Sequence, residues 1–236
     1  MFQNHQNQHQ NLVSFVNPRA KRLSLRVDTR EGVIRLTIPK WTTQWKIDRF
    51  LKTNEDWIAD KSADLHPKIA IEHGATFLFQ GVAHEIVIER HDKRTTQISS
   101  LRGHDLNDDV LIIKTSRDDP TSNLKRWMIE ECRKKIEPLA HHKASAIGKT
   151  ISKIDLRDTK SRWGSCSTDK RLMFSWRLMM APPEVTDYVI AHEVAHLKHM
   201  DHSKKFWDVC YDLTDGDADN ARQWLKDHGN ELMQWF

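Results

Sequence analysis

Between residues 12 and 113, apolar positions alternate with polar ones more often than they recur at helical spacing. Leu23, Leu25 and Val27 alternate with Arg22, Ser24 and Arg26, which predicts a strand with one face turned inward. A turn at Glu31-Gly32 leads into a second strand over 33–38. Pro39, which has no N–H to give a ladder, closes it. Residues 43–64 change period: Trp45, Ile47, Phe50, Leu51, Trp57 and Ile58 share one helical face. Strands return at 76–79 and 83–89, across a turn at Gln80-Gly81, and end with 110–113. The run Asp118-Asp119-Pro120-Thr121 then signals a helix start. A long helix follows over 121–147, with Leu124, Trp127, Met128 and Cys132 on one face; Pro138 is expected to kink or divide it, and Gly148 to end it. Strands at 151–156 and 173–176 precede a helix that opens with Pro182-Pro183-Glu184. The pattern suggests a polar tail over 1–11, a β-rich region with one helix over 12–115, and a second region over 116–236.

Composition narrows the class without naming a function. The chain has 236 residues, 38% hydrophobic and 30% charged, enough for a folded core. Its 37 Lys+Arg against 33 Asp+Glu leave a net charge of +4, too small a surplus to name nucleic acid or a membrane as partner. No apolar run reaches the roughly 18 residues of a membrane span. The Gln/Asn/His-rich start has no apolar centre, so no secretory signal is expected. Three cysteines, Cys132, Cys166 and Cys210, form no close pair, so a reducing cytoplasm is the expected setting. His5 and His9 lie in the tail with nothing nearby to fold them into a site.

The chemistry concentrates in residues 185–202, which contain His192-Glu193-Val194-Ala195-His196. Two His four apart on a helix lie one turn along the axis and about 40° apart around it, so both imidazoles reach one point, at a spacing a Zn²⁺ can bridge. Glu193, on the adjacent flank, is placed to take a proton from a metal-bound water rather than to bind the metal. The surrounding Val189, Ile190, Val194, Ala195 and Leu197 are apolar, and burying His and Glu among them is costly unless a cation pairs with them. A catalytic zinc needs a third ligand and an open position. His202 is the first choice: the spacing resembles the extended zincin pattern, although His199 stands at its glycine position. The helix can then run to about His199, turn at Met200-Asp201 and restart with Ser203 as N-cap. His199 itself, or Asp212, Asp215 or Glu231 farther on, remain alternatives. Cys166 as a fourth ligand would close the site and make it structural. Arg162 could stabilise an oxyanion, and Tyr188, one turn before His192, could pack against it.

These residues resemble the YgjP-type metallopeptidase-like family, a relative of the SprT-like and WLM zinc peptidases. The resemblance runs through Ser161-Arg162-Trp163-Gly164-Ser165-Cys166-Ser167, Trp176-Arg177-Leu178, Ala181-Pro182-Pro183-Glu184 and Asp187-Tyr188-Val189 into the His192 motif, then His202-Ser203 and Phe206-Trp207. Looser matches are Arg22-Leu23-Ser24-Leu25-Arg26-Val27, residues 74–87 and Trp224-Leu225-Lys226. Asp201 stands where the family often has Asn, and Met128 where an aromatic is usual. The resemblance implies an α+β fold, with the β-rich region followed by a compact zincin-like, minigluzincin-type helical core and a small edge sheet. It also implies one Zn²⁺ on His192, His196 and His202, and Glu193 as general base. A strand at Arg162 to Cys166 would form the upper edge of the cleft, where an extended peptide could add to it.

The expected reaction is metal-assisted hydrolysis, first of amide bonds in a peptide or unfolded protein. A nucleotide pyrophosphatase is the alternative, since Arg157, Lys160, Arg162, Arg171 and Arg177 could bind a polyphosphate. A zinc-stabilised binding module, with nucleic acid as its partner given the basic surplus, is the third reading. Glu193 separates them, because a structural site has no use for a base. Other divalent transition metals suit the same imidazoles. No membrane or nucleic-acid partner is expected.

Overall fold

In the computed structural model, which describes residues 11–28, 31–63, 65, 70–103, 109–159, 162–233 and 235, the chain divides into two units, Met1–Ile69 with Met233–Phe236 and Ala70–Leu232. The first ten residues, with His5 and His9, lie outside the described residues, as does Lys160. The α+β class holds, with six helices and three small sheets among the described residues.

The first unit is built around β3 (Val33–Pro39), the middle strand of three. β2 (Ser24–Asp28) pairs antiparallel with it as the alternation predicts, and β1 (Leu12–Asn17) adds a parallel partner on the other side. Ile34, Leu36 and Ile38 point from alternate positions of β3 into a core with Leu12, Ile47 and Ile58. The helix expected over 43–64 is two, α1 (Gln44–Thr53) and α2 (Glu55–Ala63). Asn54 makes the break: its Nδ2 donates to the Phe50 carbonyl at 2.7 Å, satisfying the end of α1, while its own carbonyl accepts from Ile58 and starts α2.

The second unit opens with β4 (Thr76–Phe79), β5 (Val82–Arg90), β6 (Gln97–Leu101) and β7 (Val110–Thr115), in the order β4-β5-β7-β6. Sequence patterning gave no hint of β6. It is an edge strand of mostly polar residues, so it shows no inward-facing apolar series. This sheet lies in the same unit as the helices, so the expected boundary at 115/116 falls inside a unit and the division comes near 70. The reason is the turn at Gln80-Gly81. Both residues have positive φ, and their N–H groups donate to the Met179 and Met180 carbonyls at 2.8 and 3.0 Å. A Cβ on Gly81 would stand 2.8 Å from Pro182 Cα, so only glycine lets the turn seat there. Phe79 also packs on Trp127, ring centroids 4.9 Å apart.

α3 (Thr121–Ala146) is one helix with Pro138 inside it, so of the two expected outcomes, a kink or a division, the proline does not divide it. Leu124, Met128, Cys132, Ile136 and Ala140 are fully buried along one face and hold it together across the proline. Met128, at a position where an aromatic was expected, thus fills core space. Gly148, at φ 65°, ends the helix, with Lys149 donating to the Ala144 carbonyl. A second sheet follows: β8 (Lys153–Arg157), β9 (Gly164–Cys166) and β10 (Arg171–Ser175), in the order β8-β10-β9. A 3-10 turn, Trp176–Met180, leads to α4 (Pro183–Ala195), then α5 (Lys204–Leu213) and α6 (Ala218–Leu232). α4 is buried on nearly every side. Its Asp187 meets Lys143 of α3 at 2.7 Å and accepts from the Asp215 N–H at 2.7 Å. Lys143 also donates to the Leu213 carbonyl and reaches Asp215 at 3.1 Å, which ties α3, α4 and the end of α5 together. Among the described residues no helix is long and apolar enough to cross a membrane.

Candidate active site

Helix α4 carries His192 and Glu193 in its last turn, and His196 is its C-cap. The α-helix stops at Ala195, earlier than the His199 expected. It tightens into a final turn in which Leu197 and Lys198 donate to the Val194 and Ala195 carbonyls. Asp201 Oδ1 then accepts from the Ser203 N–H at 3.0 Å, and Ser203 is the N-cap residue of α5 as expected, without a side-chain capping bond. This elbow returns His202 to the first two imidazoles. Ring centroids are 5.0 Å apart for His192 and His196, 5.1 Å for His192 and His202, and 4.8 Å for His196 and His202. One nitrogen of each ring lies within 4.8 Å of the other two, and His192 Nε2 stands 3.2 Å from His202 Nε2. Phe206, fully buried, touches all three rings and forms an apolar floor beneath them.

The other ring nitrogens show which ones are offered. His196 Nδ1 lies 3.0 Å from the His199 carbonyl, which requires a proton on Nδ1 and leaves the Nε2 lone pair free. His192 Nδ1 is buried with no hydrogen-bond partner among the described residues. Burial, with His196, His202 and Arg222 nearby, pushes the His192 pKa down to about 4, and burial lowers that of His196 as well. Burial thus favours the neutral, lone-pair-bearing form of His192 and His196, and a nitrogen of His202 lies in the same group. Two nitrogens on one tetrahedral Zn²⁺ at ~2.0–2.1 Å stand about 3.3 Å apart, so the 3.2 Å separation suits such an ion.

None of the alternative ligands joins this group. His199 offers its backbone carbonyl to His196, Asp215 is engaged with Lys143, and Glu231 pairs with His228 at 3.3 Å. Asp212 is exposed on α5, and Cys166 is not among the described groups able to hold an ion.

Glu193 is 6% exposed, and burial lifts its pKa to about 8, against the opposing charge of Arg162. Strand β9 crosses directly over it. A Cβ on Gly164 would lie 2.5 Å from Glu193 Oε1, so the absence of a side chain there makes room for the carboxylate. Arg162 itself is exposed, within electrostatic reach of Glu193. Tyr188 is 6% exposed and its pKa is raised to about 12 by burial; its ring meets that of His192 at 6.0 Å.

A cavity of ≈ 340 Å³ opens beside His192 and Glu193. Tyr188 and Val189 of α4, Trp163, and Arg222, Leu225 and Lys226 of α6 line it. Sequence reasoning missed this wall of α6. Positions 222, 225, 226 and 229 share a helical face, and a Cβ on Gly229 would come 3.0 Å from Trp163 Cζ2. Of the cations considered for a polyphosphate, Arg177 is 1% exposed, ion-paired with Asp158 and bonded to the Leu232 carbonyl at 3.1 Å. Arg171 pairs with Asp169 at 2.9 Å.

The family comparison decides what this arrangement belongs to. The YgjP-like metallopeptidase domain matches residues 21–228. The chain belongs to the YgjP-like metallopeptidase family. The match covers nearly all of the second unit, including the three imidazoles, Glu193 and strand β9, and the first unit from residue 21 onward. The crystal structure of the metallopeptidase zymogen of Pyrococcus abyssi abylysin is similar at 23% identity and a TM-score of 0.35, over 39% of this chain and 93% of that one. No curated protein matches.

Proposed function

We propose that this YgjP-like protein is a zinc-dependent peptidase, with His192, His196 and His202 holding the ion and Glu193 serving as general base. The observation that carries this reading is the convergence of three imidazoles beside a buried carboxyl group that has no close counter-charge. Zn²⁺ held there would supply Lewis acidity, bringing the pKa of a bound water to about 7 and polarising a carbonyl. Glu193 takes the proton from the attacking water and delivers it to the departing amine nitrogen. Its buried position gives the carboxyl a proton affinity suited to both steps, and Arg162 tempers that affinity from outside. Arg162 is also placed to offset negative charge as the carbonyl oxygen gains it.

Two features favour a peptide over a nucleotide. Strand β9 ends its sheet in the order β8-β10-β9, so its outer edge faces away from β10, beside Glu193, and suits an extended peptide added as a further strand. The cavity next to it has Val189, Leu225, Tyr188 and Trp163 as walls, a fit for a side chain next to the scissile bond. Arg177, by contrast, is committed to Asp158 and cannot reach a polyphosphate.

The test is a hydrolysis panel with metal-reconstituted protein, setting peptides and an unfolded protein against nucleoside triphosphates, with Glu193→Gln protein of equal metal content as control. Peptide cleavage that vanishes in the variant supports the reading. Cleavage of triphosphates alone, or a variant as active as the parent, overturns it.

A further inference from the structure

We infer that the first unit carries a binding site for single-stranded nucleic acid, formed by the β1–β2 and β3–α1 connections. Net charge over the whole chain argued against such a partner, but it averages two unlike regions. Residues 1–46 hold eight Lys+Arg and two Asp+Glu, and the rest of the chain is slightly acidic. Of the two acids, Asp28 is already paired with Arg35 at 2.8 Å.

The excess gathers around one concavity of ≈ 360 Å³. Pro18, Leu23 and Pro39 form its walls, and Lys21, Arg22, Lys40 and Lys46 surround it. No acidic residue lines it, and none of these four cations makes an ion pair among the described residues. Trp41 completes the lining with 87% of its surface exposed, and Lys40 Nζ lies 5.1 Å from the centre of its ring. Trp45, four residues on in α1, is 63% exposed.

An indole left this open to water is unfavourable unless something stacks on it. Unpaired bases present aromatic faces at a regular spacing along a chain of phosphates, which matches an exposed ring set among uncompensated cations. A duplex keeps its bases stacked and hides those faces. An anionic bilayer would meet the same charge, but a concavity requires a ligand that projects into it, and a bilayer surface offers none of that shape.

The experiment is fluorescence anisotropy of a fluorescein-labelled oligothymidylate titrated with the full-length protein at increasing salt. Saturable binding is expected, with a slope of log K against log salt of about −3 for four phosphate contacts. Trp41→Ala weakens binding about tenfold or more, while Trp41→Phe keeps most of it. Lys40→Glu with Lys46→Glu flattens the salt slope. The matching duplex binds at least about tenfold more weakly. Absence of saturable binding at low salt overturns the site. So does affinity indifferent to Trp41→Ala, or binding confined to phosphatidylserine vesicles. Because these substitutions lie on an exposed surface of the other unit from Glu193, circular dichroism and peptide hydrolysis serve as controls for folding, and failure here leaves the peptidase reading untouched.

Discussion

Two carboxylates on helix α4 have nearly the same burial and opposite circumstances. Asp187 is 7% exposed and Glu193 is 6% exposed, less than two turns further along the same helix. Asp187 has a buried lysine at 2.7 Å and a backbone N–H at 2.7 Å. Glu193 has only the charge of Arg162 at the protein surface, and its pKa rises to about 8. A charge taken from water and compensated in place binds elements together; one left uncompensated costs stability and keeps an unusual proton affinity available for chemistry. The same helix thus carries a paired carboxylate toward its middle and, in its last turn, an unpaired one, the group proposed as general base.

Substitutions at the two positions should separate stability from turnover. Glu193→Gln is expected to lower kcat by at least about a thousandfold with metal content and melting temperature retained, measured by peptide hydrolysis, metal analysis and calorimetry. Asp187→Ala should do the reverse. It leaves Lys143 with only Asp215 and the Leu213 carbonyl as partners and costs about 1–3 kcal/mol of stability in denaturant titration, while the folded fraction keeps its specific activity. If Asp187→Ala abolishes activity without loss of stability, the contrast fails.

Metal removal tests the reactive end more gently. Chelation should lower the melting temperature, by about 3–4 kcal/mol of linked stability when the ion is present at hundreds of times its Kd. His202→Ala should erase that difference, which differential scanning calorimetry would detect. Gly164→Ala is expected to push the Glu193 carboxylate aside and reduce kcat by about a hundredfold, with little change in metal content.

The smallest effect concerns thiol reactivity. Burial first, then the charges of Glu193 and Asp169, hold the Cys166 pKa at about 11, so its thiolate is scarce at pH 8 and grows as pH approaches that value. Removing the negative charge in Glu193→Gln favours the thiolate, so Cys166 should react a few-fold faster with a disulfide reagent at pH 9. Cys132, with its pKa at about 12, and Cys210, at about 11, are both buried and should react only after unfolding. Equal Cys166 rates in parent and variant would show that Glu193 does not exert its charge across β9.

Much of this architecture was readable from short-range pattern. The β2–β3 pair, β7 and α3 follow periods of two and near four, and Gly148 and Pro183 stand where a helix end and start require them. β6 was invisible because most of its residues are polar and its two apolar ones do not alternate. The break at Asn54 was hidden because the apolar face continues across it. The unit boundary depended on how the Gln80-Gly81 turn docks at Pro182, a contact between residues a hundred positions apart. For the site, His192, Glu193 and His196 were evident from spacing, and His202 was favoured among several candidates. The cavity wall on α6 could not be anticipated, because nothing local connects Arg222 or Leu225 to a strand near residue 164.

The sequence by itself determined which two side chains could share a cation, imidazoles four apart on one helix, with a carboxylate on the adjacent flank. That follows from helix geometry and needs no other part of the chain. Tertiary structure alone decided which third residue returned, how deeply Glu193 was withdrawn from water, and that Trp41 stayed in it. Desolvation and proton affinity are set by whatever distant segments pack around a group, and no local pattern encodes those neighbours.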